Sequence, residues 1–366
     1  MMFKESIPCC YFPTKVIMID DNADFSNNLS LAFGKEFHSE SFVSPNEALT
    51  YLKNNGEFMK TLLTKYISVS EHYIPSAVTV DVNVASLCKE IYNQHVRFDR
   101  PVVLIVDYAM PEMNGLKFCE ELSGLPYKKI VLTGEADNDF AVEAFNLGQI
   151  DRFVKKGEAD YIAKIKSYVQ ELNIQYFSQL SQSVFDLLSK NGHDVLHSEV
   201  FIKKFNEILA KHNIVEFYLA DDTGSYMLLD EKGNAMELVV RTEEDMFFFA
   251  ELAENDGMQS MAEAITARKK MPRLLVGGDR SALAESWELC DANALHDGDT
   301  TYYYSVIGGS CSDKQAKEKP LSYHQYLYGD TNSSEHKALW WDVDQTLACS
   351  MEHSSSKRNL QSEIFR

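Results

Sequence analysis

The first 160 residues alternate between short apolar runs and longer segments in which apolar residues have helical spacing. The apolar runs lie at 15–19, 38–43, 102–106, 129–132 and 152–154, and the helical segments that follow lie at about 24–33, 44–52, 115–122, 138–147 and from 159 onward. Strands that alternate with helices form parallel sheets. The pattern therefore predicts an α/β doubly wound domain with five parallel strands.

Residues 55–100 interrupt this alternation. A crossover between two parallel strands needs far fewer residues. Two stretches inside this segment, 58–63 and 82–92, have helical spacing. We predict an ordered insertion of one or two helices. It is either an elaboration of the core or a surface that docks a partner or a second copy.

The helix that begins at 159 is predicted to continue past the end of the first domain. Its apolar residues recur at steps of three or four: Ile162, Ile165, Val169, Leu172, Tyr176, Leu180, Val184 and Leu187. This spacing keeps one face apolar throughout. Two interpretations stay open, because the face can pack on its own chain or pair with a second copy.

The pattern changes from about residue 193. Short apolar runs at 216–219, 225–229 and 236–240 are separated by turn sequences, which predicts an antiparallel meander. Thr242 is a typical N-cap for a helix that ends near 254. A second helix is predicted at 260–270 and another strand at 301–307. These elements indicate an α+β domain, followed by a polar segment from 311 with a disordered end from 354.

Composition narrows the setting of the protein. No apolar stretch is long enough to span a membrane, and the chain begins without an apolar export segment, so we expect a cytoplasmic protein. The seven cysteines contain no C-x-x-C pair, which favours free, reduced thiols.

The net charge of −20 argues against broad binding to nucleic-acid phosphates. The densest basic run, 267–273, is either the solvated last turn of a helix or part of a basic stripe that contacts DNA. In the second case Arg268, Lys269, Lys270 and Arg273 would share one face.

Polar side chains follow four of the predicted parallel strands. Asp20 and Asp21 follow the first strand, Asp107 follows the third, Thr133 the fourth and Lys156 the fifth. Each alone has an ordinary explanation as a cap, a turn residue or a solvated charge. Because the carboxyl ends of parallel strands meet at one edge of a sheet, all five together predict a common pocket at the switch point between strands one and three.

The chemistry of such a pocket is metal-assisted phosphoryl transfer. Mg²⁺ prefers oxygen ligands, which Asp21, Asp107 and the backbone carbonyl of Ala109 would supply, with Asp20 as an outer contact. Asp107 would attack the phosphorus atom. Lys156 and the Thr133 hydroxyl would bind the phosphoryl oxygens.

The motifs around these residues resemble the receiver domain of two-component response regulators. The matching segments are 19–21 (IDD), 106–115 (VDYAMPEMNG), 132–134 (LTG) and 153–156 (FVKK). The resemblance implies a flavodoxin-like fold, Mg²⁺ as cofactor, and phosphorylation of Asp107 by a sensor histidine kinase or phosphotransfer protein. It also implies that Thr133 and Phe153 move together as a switch.

The chain departs from the family pattern in two places. One is the insertion. The other is the sequence Lys155-Lys156-Gly157, where the family has Lys-Pro. We assign the pocket lysine to Lys156 because Phe153 then occupies the usual aromatic position three residues earlier, and Lys155 remains an alternative. Phe153 has no hydroxyl for a switch hydrogen bond.

A narrower resemblance is to a small subfamily typified by the Legionella quorum-sensing response regulator. It is carried by the segments at 97–98, 132–137, 144–153 and 217–226. It implies an extended receiver, an uncharacterised output domain and a place in quorum-sensing signalling. From the pattern along the whole chain we predict an arm at 1–13, a receiver at 14–175, a connecting helix at 159–190, an output domain at 191–310 and a polar segment at 311–366. We also expect a phosphorylation-dependent homodimer.

Three classes of output remain open: an interaction or nucleic-acid-binding module, a small-ligand sensor, and an enzyme. A sensor would enclose a cavity lined by residues such as Phe247, Phe248 and Tyr303. An enzyme would bring together the acids near 221–222 and 297–299, but the sequence contains no known catalytic motif there. We therefore expect chemistry only at the receiver aspartate. The alternative for the whole chain is a phosphorylation-independent pseudo-receiver that binds proteins or small ligands.

Overall fold

A computed structural model describes residues 2–34, 36–56, 67–71, 78–82, 84–134, 138–188, 194–221, 223–273, 288–308 and 321–328. Residues up to Tyr323 form one compact unit, and the residues after it belong to another. The predicted helix at 58–63 and the tail from 354 lie outside the described residues.

The described α-helices are α1 (Ala23–Phe33), α2 (Pro45–Asn55), α3 (Val84–Asn93), α4 (Gly115–Glu121), α5 (Asn138–Asn146), α6 (Tyr161–Leu188), α7 (Glu199–Lys211), α8 (Glu243–Asn255), α9 (Gln259–Thr266) and α10 (Tyr323–Tyr328). Short 3₁₀ turns lie at His95–Asp99 and Asp194–His197. None of the described helices combines the length and apolar character that a bilayer crossing requires.

The described strands are β1 (Cys10–Tyr11), β2 (Lys15–Ile19), β3 (Ser39–Phe42), β4 (Ile67–Glu71), β5 (Val78–Val82), β6 (Pro101–Asp107), β7 (Lys128–Thr133), β8 (Arg152–Lys155), β9 (Ile214–Leu219), β10 (Tyr226–Asp230), β11 (Ala235–Thr242), β12 (Lys270–Arg273), β13 (Glu288–Asp291), β14 (Asn293–Asp297) and β15 (Thr300–Gly308).

The first sheet is parallel, with five strands in the order β3-β2-β6-β7-β8. Every residue of β2, β6 and β7 is buried, because helices cover both faces. The flavodoxin-like sheet predicted from the sequence is therefore confirmed. The chain leaves β2 and β6 toward opposite edges of the sheet, so the switch point lies between these two strands.

The insertion is only partly helical. Its described residues contain α3, as predicted, but they also contain β4 and β5, which form a separate antiparallel pair. The prediction of helices alone was wrong because isoleucine and valine alternate with polar residues at 67–71 and 78–82, a two-residue period that favours strands. Helix α3 packs on β9 of the second sheet.

Helix α6 packs against its own chain over its first five turns. Ile165, Val169, Leu172 and Phe177 are buried, and the helix contacts β6, β7 and β8. Ser181 then donates from Oγ to the Cys9 sulfur at 3.2 Å, and the Cys9 amide donates to Ser181 Oγ at 2.9 Å. The apolar face over these turns is therefore covered within the chain. The side chains of Val184 and Leu187 lie outside the described residues.

The second sheet is antiparallel, with strands in the order β1-β9-β10-β11-β15-β14. The predicted meander and the strand near 301–307 are present with slightly different ends. The Thr242 cap is also present, with reciprocal hydrogen bonds between Thr242 and Asp245. The pairing of β1, from the N-terminal arm, with β9 was not predicted.

The predicted helix over 260–270 ends early. Helix α9 stops at Thr266, Arg268 has a positive φ of 57°, and Lys270–Arg273 is strand β12. The predicted helix was too long because the prediction took no account of Pro272 or of the pairing of β12 with β13. Proline has no amide hydrogen to continue a helix.

Candidate functional site

The carboxyl ends of β2 and β6 bring the acidic residues together. Ile19 and Val106 are register partners in the parallel pair, so the residues that follow them, Asp20 and Asp107, leave adjacent strands at the same level. Carboxylate oxygens of Asp20, Asp21 and Asp107 all lie within 4.8 Å of one another. Asp20 and Asp107 are buried, whereas Asp21 is exposed. The site is therefore an acidic pocket with one solvent-facing member.

Lys156 places an ammonium group on this pocket. Its Nζ is 2.8 Å from Asp20 Oδ2 and 2.9 Å from Asp107 Oδ1. Lys155 lies in β8 in register with Thr133, and Lys156 is the next residue, beyond the strand. Of the two lysines left open by the sequence, Lys156 is thus the one that contacts the acids.

Burial and charge act against each other at this site. Burial raises the pKa of the Asp107 carboxyl, Lys156 opposes the shift, and the carboxylates of Asp20 and Asp21 raise the pKa further. Burial alone would lower the pKa of Lys156, but its hydrogen bonds to Asp20 and Asp107 outweigh burial and raise it. The ammonium form of Lys156 is therefore favoured while it bridges the two acids.

The turn after β2 is braced by side chains. Asp20 Oδ1 accepts a hydrogen bond from the Asn22 amide at 2.9 Å, and Asn22 Oδ1 accepts one from the Phe25 amide at 3.1 Å. Asn22 is the N-cap of α1. These contacts fix the Asp20 carboxylate while its other oxygen contacts Lys156. The role of Asn22 was not predicted, although asparagine ahead of a helix is a recognisable capping signal.

Gly115 shapes the loop that leaves the pocket. A Cβ atom at this position would lie 2.4 Å from the carbonyl oxygen of Asp107 and 3.0 Å from the Cα of Tyr108. The Gly115 amide donates to the Tyr108 carbonyl at 2.9 Å. Only glycine allows the loop to fold back this closely on the end of β6. The sequence analysis assigned Gly115 no role of its own.

The remaining predicted site residues lie on the same sheet edge. Thr133 ends β7 and is fully buried, and its carbonyl accepts from the Lys156 amide at 2.8 Å. Phe153 is half-buried in β8 and makes an edge contact with Phe145, with 6.4 Å between ring centroids. Ala109 is exposed in the loop after β6.

The donor set of the pocket fits Mg²⁺. Three carboxylates that converge within 4.8 Å supply the hard oxygen ligands that this ion prefers. Asp21 is open to solvent, which suits an ion that keeps several water ligands. The carboxylates that could hold the ion are those of Asp20, Asp21 and Asp107.

The candidate residues of the second sheet make hydrogen bonds within the fold. Asp221 accepts hydrogen bonds from Thr223, Ser225 and Arg241, and Asp297 accepts one from Ser198 at 2.5 Å. His296 contacts Thr301. Among the described residues, the acids near 221 and 297 do not join into a metal cluster.

The basic run 267–273 is largely neutralised. Arg268 pairs with Glu243, Lys270 with Asp291 at 2.6 Å, and Arg273 with two carboxylates, those of Glu237 at 2.6 Å and Glu288 at 2.7 Å. A stripe that binds nucleic acid needs cations free to meet phosphates. These pairs weigh against that output.

The expected sensor cavity is not formed by the residues named for it. Phe247 is 60% exposed and Phe248 is 48% exposed, so neither lines an enclosed space. Tyr303 is buried, and its hydroxyl donates to Glu243 Oε2 at 2.7 Å. Helix α8 places these adjacent phenylalanines on its outer side, while Met246, Phe249 and Ala250 face the sheet, which weighs against the sensor alternative at this position.

The fold agrees with the comparison to a solved structure. The structure of the Legionella pneumophila response regulator LqsR is 33% identical in sequence and matches 91% of this chain and 98% of its own, with a TM-score of 0.71. The chain belongs to the response regulators. This response regulator also matches the receiver domain family over residues 67–166.

Two curated relatives share a shorter segment. A protein-glutamate methylesterase/protein-glutamine glutaminase from Burkholderia thailandensis is 31% identical over 117 residues, and one from Dechloromonas aromatica is 30% identical over 122 residues. This response regulator spans 30% and 33% of the lengths of these two relatives. The similarity therefore covers about a third of each enzyme.

Proposed function

We propose that this response regulator is phosphorylated on Asp107, with Mg²⁺, by a sensor histidine kinase or a phosphotransfer protein. The observation that carries the proposal is the position of Lys156. Its Nζ bridges Asp20 and Asp107 at 2.8 and 2.9 Å, in a pocket where three carboxylates converge. An ammonium beside a nucleophilic carboxylate is suited to pair with an incoming phosphoryl group.

The step is a direct transfer. A carboxylate oxygen of Asp107 attacks the phosphorus atom, the bond from phosphorus to the donor breaks, and the leaving group departs with the electron pair. The product is an aspartyl phosphate. Lys156 and the Thr133 hydroxyl bind the phosphoryl oxygens, and Asp20 stays held by the Asn22 amide.

Bound Mg²⁺ would neutralise charge on the phosphoryl oxygens and orient them toward the attacking carboxylate. Asp21, Asp107 and the Ala109 carbonyl would be its ligands, with Asp20 in outer contact. Before the ion arrives, Lys156 offsets part of the charge of the three acids. Most of the rate acceleration in such a site comes from positioning and charge neutralisation.

Phosphorylation is proposed to act on the rest of the molecule through Thr133 and Phe153. These two residues lie near the ends of the last two strands, where a shift can reach the exposed side of α5. The expected result is a change in homodimer formation or in the contact between receiver and output. We propose boundaries of 14–175 for the receiver and 191–310 for the output.

We further propose a place in quorum-sensing signalling, in the cytoplasm. This follows from the resemblance to the Legionella subfamily and is supported by 33% identity over 91% of the chain. The esterase and glutaminase activities in the names of the curated relatives are not carried over, because those alignments span only 117 and 122 residues.

Intact-mass spectrometry after incubation with Mg²⁺ and acetyl phosphate tests this proposal. Wild type should gain one phosphoryl group and Asp107→Asn none. Asp24→Asn is the matched control, since it changes an exposed acid in the first turn of α1 and should react like wild type. A folded wild type that gains no adduct contradicts the proposal and favours a phosphorylation-independent pseudo-receiver.

A further inference from the structure

An aromatic ring accompanies the two carboxylates around the pocket lysine. Lys156 Nζ lies 4.3 Å from the centroid of the Phe25 ring. A cation within about 6 Å of a ring centroid is attracted to the face of the ring. The ammonium group is thus held by Asp20, Asp107 and Phe25 at once.

The position of Phe25 follows from the turn that carries Asp20. Phe25 is the third residue of α1, and its amide donates to the N-cap side chain of Asn22. The backbone amide of Asn22 in turn donates to Asp20 Oδ1. One short segment therefore sets both the carboxylate and the ring that contact Lys156.

A second helix supports the ring. Tyr161 stacks on Phe25, with centroids 6.3 Å apart and an angle of 22° between the ring planes. Tyr161 is the first residue of α6, the helix that leads toward the second sheet. The ring is consequently braced between α1 and α6, which limits how far it can turn away from the lysine.

We propose that Phe25 is a positioning residue for Lys156, with Tyr161 bracing it from α6. The proposal rests on the proposed function, since it concerns phosphorylation of Asp107. A divalent cation competes with Lys156 for the two carboxylates, and a phosphoryl group competes with the carboxylates for Lys156. The attraction to the ring does not use the carboxylates, so Phe25 keeps the ammonium over the pocket when they turn to another charge.

The test compares substitutions that keep or remove the aromatic face. Phe25→Leu fills similar volume without a ring, whereas Phe25→Tyr keeps one. Phe37→Leu is the matched control, because this half-buried ring packs on Phe33 at 5.3 Å instead of on the pocket lysine. The full-length proteins are incubated with acetyl phosphate, and the limiting rate of adduct formation is measured across a Mg²⁺ titration.

Phe25→Leu should lower the limiting rate by roughly three- to tenfold, the loss expected for one cation–ring contact. Phe25→Tyr and Phe37→Leu should stay within about twofold of wild type on the same scale. The Mg²⁺ concentration at half-maximal rate should not rise, because the three acids are intact. A merely structural role would lower the rate without rescue by tyrosine.

A double-mutant cycle identifies the partner of Phe25. If Phe25 acts through Lys156, adding Phe25→Leu to Lys156→Met should cause no further loss of rate. An equal loss in both backgrounds overturns the proposal, as does a Phe25→Leu protein that reacts as fast as wild type. No adduct on wild type instead contradicts the proposed function itself, so the two failures are distinguishable.

Discussion

Lys156 at the end of the receiver sheet and Arg97 at the end of the insertion both bridge to carboxylates, and they differ in access to water. The Lys156 side chain is 27% exposed and faces three acids. The side chains of Arg97 and Glu216 are 1% and 0% exposed. Arg97 donates to both oxygens of Glu216, from Nε at 3.0 Å and from Nη2 at 3.2 Å.

The Arg97–Glu216 pair also has further hydrogen-bond partners within the protein. Tyr218 also donates to Glu216, at 2.8 Å, and the Leu321 carbonyl accepts from Arg97 at 2.7 Å. The hydrogen-bonding capacity of the Arg97 pair is therefore used within the protein. The pocket around Lys156 keeps an excess of acid that another cation can neutralise. The Arg97 pair is buried and fully hydrogen-bonded, whereas the pocket around Lys156 has more carboxylates than cations among the described residues.

The buried pair also explains what the insertion does in this fold. Arg97 lies four residues before β6, the strand that ends at Asp107, and Glu216 lies in β9 of the second sheet. Helix α3 packs on the same strand. The end of the insertion thus connects the start of β6 to β9 of the second sheet.

Removing one partner of the buried pair should have the largest effect on stability. We expect Glu216→Ala to lower the free energy of unfolding by about 3–5 kcal/mol, because it leaves the Arg97 charge buried and unpaired. Urea denaturation measures the change. Glu121→Ala, which removes the exposed pair with Lys53, should leave stability close to wild type. Similar losses in the two variants would refute the distinction.

Gly115→Ala should have the next largest effect, at about 2–3 kcal/mol, since the added methyl group would overlap the Asp107 carbonyl. The same substitution should slow phosphorylation by displacing the end of β6. Gly308→Ala is the control, because a Cβ there meets no atom within 4 Å. Denaturation and adduct formation are measured on both, and equal behaviour would argue against a close approach at Gly115.

Mg²⁺ should stabilise the protein only by binding to the acidic pocket around Lys156. At roughly ten times its dissociation constant, the ion should add about 1.4 kcal/mol of stability by mass action. Thermal unfolding with and without Mg²⁺ measures this gain. Asp21→Asn should lose most of it and Asp24→Asn should keep it. A gain that survives in Asp21→Asn would place the ion elsewhere.

The Asp221–Arg241 pair is intermediate in exposure and should show the smallest effect. Burial opposes the Asp221 charge, but Arg241 and the hydrogen bonds of Ser225 and Thr223 outweigh it and lower the pKa of Asp221. A lowered folded-state pKa gives stability that is complete above the unfolded pKa of about 3.9 and is lost as pH falls through the folded value.

Asp221→Asn should therefore lower the free energy of unfolding at pH 7, because Arg241 and the hydrogen bonds favour the charged carboxylate in the folded protein. The difference from wild type should shrink as pH falls below about 4. Urea denaturation at several pH values measures it. A difference that stays constant with pH would show that the carboxylate charge contributes nothing.

The acidic pocket was predictable because its signals are local. Each of Asp20, Asp107 and Thr133 directly follows an apolar run, and parallel strands bring such positions to one edge. The choice between Lys155 and Lys156 was less certain, because adjacent lysines fit the same pattern. The structure separates them by placing Lys155 within β8 and Lys156 just after it.

The contacts between residues far apart in sequence carry no local signal. Arg97 and Glu216 are 119 residues apart, and β1 joins β9 across about 200 residues of chain. Nothing near Arg97 marks it as a buried residue rather than a solvated one. The Phe25 contact is similar, since the sequence does not indicate which residue a half-buried phenylalanine in a first helical turn will contact.

The most direct test of phosphorylation at Asp107 is to identify the residue that carries the acyl phosphate. Borohydride reduces an aspartyl phosphate to homoserine, and peptide mass spectrometry then locates the changed residue. After treatment with Mg²⁺ and acetyl phosphate, we expect homoserine at position 107 and an unchanged Asp20 and Asp21. Homoserine at either of those positions, or at none in a folded protein, would contradict it.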